Sequence, residues 1–138
     1  MHYKIYSQLP QDAKEIREAV FMKEQGFVQE FDDIDKCAKH LVVYKNEQPI
    51  AVCRFFPQNA EYIIGRIAVR KEYRGKHIGA AVLTWAEQEI HAAGGTNIAL
   101  HAQEQAKGFY EKLGYAQRGG IEYEESCPHV WMTKELAK

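Results

Sequence analysis

The stretch from Ile67 to Leu83 constrains this chain more than any other. An apolar run, Ile67-Ala68-Val69, leads into the basic turn Arg70-Lys71-Glu72-Tyr73-Arg74-Gly75-Lys76-His77, and then into Ile78-Gly79-Ala80-Ala81-Val82-Leu83. Beyond the turn, Ile78, Val82, Leu83, Ala86 and Ile90 recur at helical spacing, and Ala93-Gly94-Gly95 ends the helix. Asn97-Ile98-Ala99-Leu100-His101-Ala102 then reads as a second strand. Strand, turn, helix and strand in this order form a crossover unit, which makes the strands parallel and lays the helix on one sheet face.

The turn is built for an anion. The first backbone N–H groups of a helix have no partner within it, and the helix dipole adds partial positive charge there. Gly75 and Gly79 let the backbone approach a ligand closely, and Arg70, Lys71, Arg74 and Lys76 add full charges. A phosphate or pyrophosphate is the implied ligand. Neither the P-loop spacing nor the dinucleotide glycine fingerprint is present.

Arg74-Gly75-Lys76-His77-Ile78-Gly79 resembles the coenzyme A pyrophosphate loop of the GNAT acetyltransferases, Arg/Gln-x-x-Gly-x-Gly/Ala, with His77 in place of the first motif glycine. A position that needs only an N–H and helical backbone tolerates histidine; one that needs positive φ does not. Further along, Gln105-Ala106-Lys107-Gly108-Phe109-Tyr110-Glu111-Lys112-Leu113-Gly114-Tyr115 resembles the family segment A-x-x-F-Y-x-x-x-G-F/Y, a short helix closed by Gly114. The segment from Arg17 to His40 resembles a subgroup reading R-x-x-V-F-x-x-E-Q, then acidic residues, then D-x-x-x-x-H, a pattern shared with acyl-homoserine-lactone synthases. Pro128-His129 matches the same subgroup, and these segments together cover nearly the whole chain.

The resemblance implies one acetyltransferase domain over residues 1–138, with an α/β fold. Its sheet would be mixed and mostly antiparallel, with helices on both faces and a splayed parallel pair. Acetyl-CoA would lie in the splay, its pantetheine paired with Ile67, Ala68 and Val69. Its pyrophosphate would sit on the N–H groups of His77, Ile78, Gly79 and Ala80, beside Arg74, Gly75 and Lys76. Phe109 would pack its helix on the sheet beside the cofactor. Tyr110 would be the general acid for the leaving thiolate, since a phenol of pKa about 10 is protonated at neutral pH. The acceptor would be a small-molecule amine or a protein lysine attacking directly, and a homodimer is compatible with the fold.

An alkyl amine is protonated at neutral pH and needs a base. Many family members carry a glutamate on the strand before the phosphate turn; here that strand reads Ile63-Ile64-Gly65-Arg66, with Glu61 farther back. Glu24, His40 and His129 are therefore expected to line the acceptor pocket, one acting as base directly or through water. Glu30, Asp32 and Asp35 are further candidates. The competing account makes Glu24 a helix cap and His40 a structural histidine. Two other functions stay open: transfer of a longer acyl chain, and a non-catalytic acyl-CoA sensor.

Composition narrows the classes. With 18 basic and 19 acidic residues the net charge is -1, which argues against a nucleic-acid binder. No apolar run approaches the roughly 18 residues of a membrane helix, and the N-terminus lacks a secretion signal, so a cytoplasmic location is expected. Cys37, Cys53 and Cys127 lack disulfide or zinc spacing, and Asp32, Asp33, Asp35 and His40 lack the glycine and glutamate of a calcium loop, so no metal is expected. Strands are further expected over His2–Ser7, His40–Tyr44, Pro49–Phe56, Glu61–Val69 and near His129–Thr133. A helix opening at Pro10 would bury Ala13, Ile16, Val20 and Phe21.

Overall fold

The computed structural model describes residues 1–136. In chain order it runs β1 (His2–Tyr6), α1 (Gln11–Arg17), β2 (Lys39–Lys45), β3 (Gln48–Gln58), β4 (Glu61–Val69), α2 (Ile78–Ala92), β5 (Asn97–Gln103), α3 (Lys107–Lys112), β6 (Ala116–Glu124) and β7 (Cys127–Glu135). The strands form a single sheet in the order β1-β2-β3-β4-β5-β7-β6. Every neighbouring pair is antiparallel except β4–β5, which is parallel. The α/β fold, with helices on both faces, agrees with the expectation from the sequence.

Strand alternation decides which residues each helix covers. Leu41 and Val43 of β2, with Ala51, Cys53 and Phe55 of β3, pack under α2 against Ile78, Val82, Leu83, Ala86 and Ile90. The intervening Val42, Tyr44 and Val52 pack on the other face, against Ala13, Ile16, Val20 and Phe21. Pro10 precedes α1, as expected, but the helix widens into π-helical turns over Glu18–Glu24.

A bulge in β4 shapes the middle of the sheet. Val52 pairs with Ala68 and Arg54 with Gly65, so β4 holds one more residue than β3 in this interval. Arg66 takes up the extra residue at φ 52°. The insertion shifts the alternation by one. Ile64 faces α2, and beyond the bulge Ile67 and Val69 face it, with Ala68 opposite.

Candidate active site

Hydrogen bonding between β4 and β5 covers only Tyr62↔Ile98, Ile63↔Ala99 and Ile64↔Leu100. Both strands run on, β4 to Val69 and β5 to Gln103, without pairing to each other. The β4 bulge is the cause, because it turns the strand away just past Ile64. Arg70 donates its N–H to Ile50 O on the β3 side. By alternation Ile67 and Val69 therefore direct their N–H groups into the opening between β4 and β5. The opening continues into a cleft of about 820 Å³, lined among others by Phe27, Arg66, His101, Tyr110, Glu124 and His129.

At the far end of β4 lies the basic turn. The first intrahelical bond of α2 runs from Ala81 N to His77 O, so the N–H groups of Ile78, Gly79 and Ala80 have no partner within the helix. His77 is left-handed, at φ 62° and ψ 19°. The motif glycine's position thus does require positive φ, and histidine occupies it at a cost of about 1–2 kcal/mol. A Cβ on Gly79 would stand 3.2 Å from Phe109 Cζ, so Gly79 lets α3 close on the start of α2. Arg74, though exposed, is engaged by its own chain: its Nε donates to Val69 O, and its Nη atoms grip both carboxylate oxygens of Glu24 at 2.8 and 3.0 Å. Gly75 and Lys76 are exposed beside it.

Tyr110 projects from α3 into the α2 side of the sheet and also lines the cleft. Phe109 and Tyr115 meet its ring edge-on at 5.1 and 6.1 Å. Burial pushes its phenol above the ordinary value, so the hydroxyl keeps its proton at neutral pH. The thiols do not compete: burial raises Cys53, and burial with the Glu124 charge raises Cys127.

The acceptor-side candidates separate. Glu24 does not line the cleft, because its carboxylate is taken by Arg74. Neither does His40, which is 1% exposed, with Nε2 on Asp35 O at 2.9 Å. Burial lowers its pKa and favours the neutral ring, whose Nε2–H then donates to that carbonyl. Glu61 is also misplaced, standing opposite Gln58 at the start of β4 and bonded to Arg118. Of the three candidates only His129 reaches the cleft.

The acidic segment serves a charge network instead. Arg17, almost fully buried, binds Glu30 at 2.8 Å and both Asp35 oxygens at 2.7 and 3.1 Å. Arg54 binds Asp32 at 2.6 Å and Asp35 at 2.8 Å, while Arg66 meets Glu30 at 3.1 Å and Asp32 at 3.4 Å. Burial alone would raise Asp35, but the Arg17 and Arg54 guanidiniums hold it down at about 2. Arg54 holds Asp32 low, whereas for Glu30 burial outweighs its arginines and raises it. These carboxylates are thus occupied by guanidinium groups and hold the loop that roofs the cleft.

The sequence reading missed His101 and Glu124. His101 Nδ1 bonds the Glu124 carboxylate, and its ring stacks on Trp131 at 4.6 Å and lies 4.9 Å from His129. The only signal in the sequence was a histidine in a strand end beside the expected opening.

The chain's relatives agree with this architecture. The family model for the acetyltransferase (GNAT) domain matches residues 8–136. The uncharacterised Bacillus subtilis protein YyaT is 34% identical over 132 residues, spanning 92% of this chain and 89% of its own. The crystal structure of a Lactobacillus plantarum protein superposes with a TM-score of 0.89 at 33% identity, covering 99% of this chain and all of that one. An aminoglycoside 6'-N-acetyltransferase solved in complex with coenzyme A shares the fold at a TM-score of 0.77 and 15% identity, over 100% of this chain and 98% of that one. Matched by that family model over nearly its whole length and folded around a splayed strand pair, this chain belongs to the GNAT acetyltransferase family.

Proposed function

We propose that the protein transfers the acetyl group of acetyl-CoA to a primary amine by direct attack within the cleft. The observation that carries this reading is that β4 and β5 part beyond Ile64 and Leu100 while both strands continue. The parted edge of β4 offers the N–H groups of Ile67 and Val69, with Ala68 between them, to an extended amide-bearing chain. The N–H groups at the start of α2 offer a diphosphate site in line with that edge. Acetyl-CoA has both parts, and supplies an acyl group activated as a thioester. The aminoglycoside acetyltransferase solved with coenzyme A supports the reading through its shared fold.

The remaining steps belong to the chain's own groups. Lys76 and the turn at Gly75 would hold phosphate oxygens, as would Arg74 through the N–H groups that Glu24 and Val69 leave free. Backbone N–H groups at the β4 edge would polarise the thioester carbonyl. Tyr110, kept protonated by burial, would donate its hydroxyl proton to the departing sulfur. The amine, from a small molecule or a protein lysine, would enter on the opposite face, under the loop containing Phe27.

Calorimetric titration with acetyl-CoA tests the reading. Saturable binding in the micromolar range is expected, and absence of binding at millimolar ligand would overturn it. Tyr110→Phe should leave that affinity within about threefold and lower kcat by roughly 10- to 1000-fold. A loss under twofold would remove Tyr110 from the reaction.

A further inference from the structure

His129, Glu124 and His101 form a cluster whose hydrogen-bonding capacity is not balanced. His129 Nδ1 lies 2.9 Å from Cys127 O. A carbonyl only accepts, so Nδ1 carries the hydrogen and the lone pair of the neutral ring is on Nε2. That lone pair faces Glu124 Oε2 at 3.8 Å. A carboxylate is also only an acceptor. With the ring in that neutral form, two acceptors face each other on the cleft wall, too far apart to bond and with no hydrogen between them. Such a pair is satisfied by a donor from outside the protein, and a cationic one gains most.

The surroundings favour a cation. Glu124 is held in place because His101, on β5, bonds the same oxygen, Oε2. The His101 ring is fixed between Trp131 and His129, and Phe27 meets His129 edge-on at 6.4 Å. Aromatic faces beside a carboxylate suit an alkylammonium group. Glu122 adds a further acidic group, with Oε1 at 3.8 Å from His101 Nε2, a buried nitrogen with no hydrogen-bond partner. Arg54 and Arg66 across the cleft do not oppose a cation, since Asp32, Asp35 and Glu30 already neutralise them. Cys127 stays a thiol at neutral pH.

We infer that Glu124 seats the acceptor as an alkylammonium ion and that His129 Nε2 takes its proton, with His101 as the positioning residue for Glu124. This rests on the acetyltransferase reading and names the acceptor class and the base for it. The proton balance is complete. His129 first takes one proton from the ammonium; the amine nitrogen so freed then bonds to the acyl carbon as the carbon–sulfur bond breaks and sheds a second proton, two in all. His129 passes one to solvent at the cleft mouth, and the other replaces the proton that Tyr110 gives to sulfur.

Two measurements test this. The first is nitrogen NMR of the histidine rings in the intact protein, which should show neutral His129 with its hydrogen on Nδ1; a hydrogen on Nε2 would overturn the proposal. The second follows thiol release from acetyl-CoA with two probes, butanediamine, protonated at neutral pH, and trifluoroethylamine, largely free base there. His129→Gln should lower kcat/KM for butanediamine by about 100-fold or more and for trifluoroethylamine by less than about fivefold. Glu124→Gln and His101→Gln should raise KM for butanediamine about tenfold or more with kcat held within about threefold. Equal losses for both amines, or changes under about threefold throughout, would overturn the proposal. Acetyl-CoA titration of each variant keeps the outcomes apart. Variants that bind acetyl-CoA but miss the amine split sink only this inference, whereas a wild-type protein that binds no acetyl-CoA sinks the acetyltransferase reading and this with it.

Discussion

His77, immediately before α2, takes a left-handed conformation that a side chain resists, and Arg66 does the same at the β4 bulge. The two differ in what compensates them. Arg66 donates to Glu30 O and pairs with the Glu30 carboxylate, whereas the His77 side chain is exposed and caps nothing. His77→Gly should therefore stabilise the protein by about 1 kcal/mol and raise Tm by a few degrees, with acetyl-CoA affinity unchanged or tighter. A fall in Tm on thermal unfolding would show that the imidazole makes a contact worth more than the strain. The sequence posed this question correctly, since the motif identified the position, but only the backbone could show its sign. Glu24 was beyond it for another reason. Glu24 meets Arg74, 50 residues away, a partner that no local spacing displays, whereas His40 bonds the Asp35 carbonyl within the D-x-x-x-x-H spacing and takes the structural role that the sequence had offered beside the catalytic one.

At the scale of elements, the three arginines brought together by α1, β3 and β4 fix the segment between α1 and β2. This gives the acid response a definite window. Asp35 titrates at about 2 in the folded protein, below the ordinary carboxylate value of about 3.9. A depressed folded pKa contributes stability that is complete above about pH 4 and is lost as pH falls through about 2. Glu30, raised by burial, acts with the opposite sign and at higher pH. Asp35→Asn should lower stability at neutral pH and flatten its fall between about pH 4 and 2, measured by denaturant unfolding across that range. An unchanged slope would place the acid sensitivity elsewhere. The apolar rhythm made α2, β2, β3 and β5 legible, because each buries a face that the spacing displays. β6 was not legible: its residues are almost all exposed, and Gly119-Gly120 interrupt it at a register shift. With β6 unread, Glu124 could not be placed beside His101, so the proposed acceptor corner was hidden although β5 itself was read correctly.

Over the whole molecule, the crossover unit leaves one opening, and the two chemical tasks proposed for it fall on opposite sides. Tyr110 approaches from the α2 face, and His129 with Glu124 from the face roofed by the loop after α1. The parallel pair, its helix and the basic turn between them were all readable from residues 67–102, because a crossover is a local unit of sequence. The parting of its strands was not readable from pattern alone, since it depends on one extra residue at Arg66.

That parting gives the sheet inner rims as well as outer ones. A rim with free backbone donors is a place where a foreign strand can dock, and proteins deter this with bulges and charges. The β4 rim starts with both, at Arg66. An extended ligand lying along it would act as a surrogate strand and shield the rim. Saturating acetyl-CoA should thus raise the temperature at which light scattering first appears on heating, beyond the gain seen with a diphosphate nucleotide that fills only the α2 end. Equal protection by the two would mean that the rim has no part in self-association.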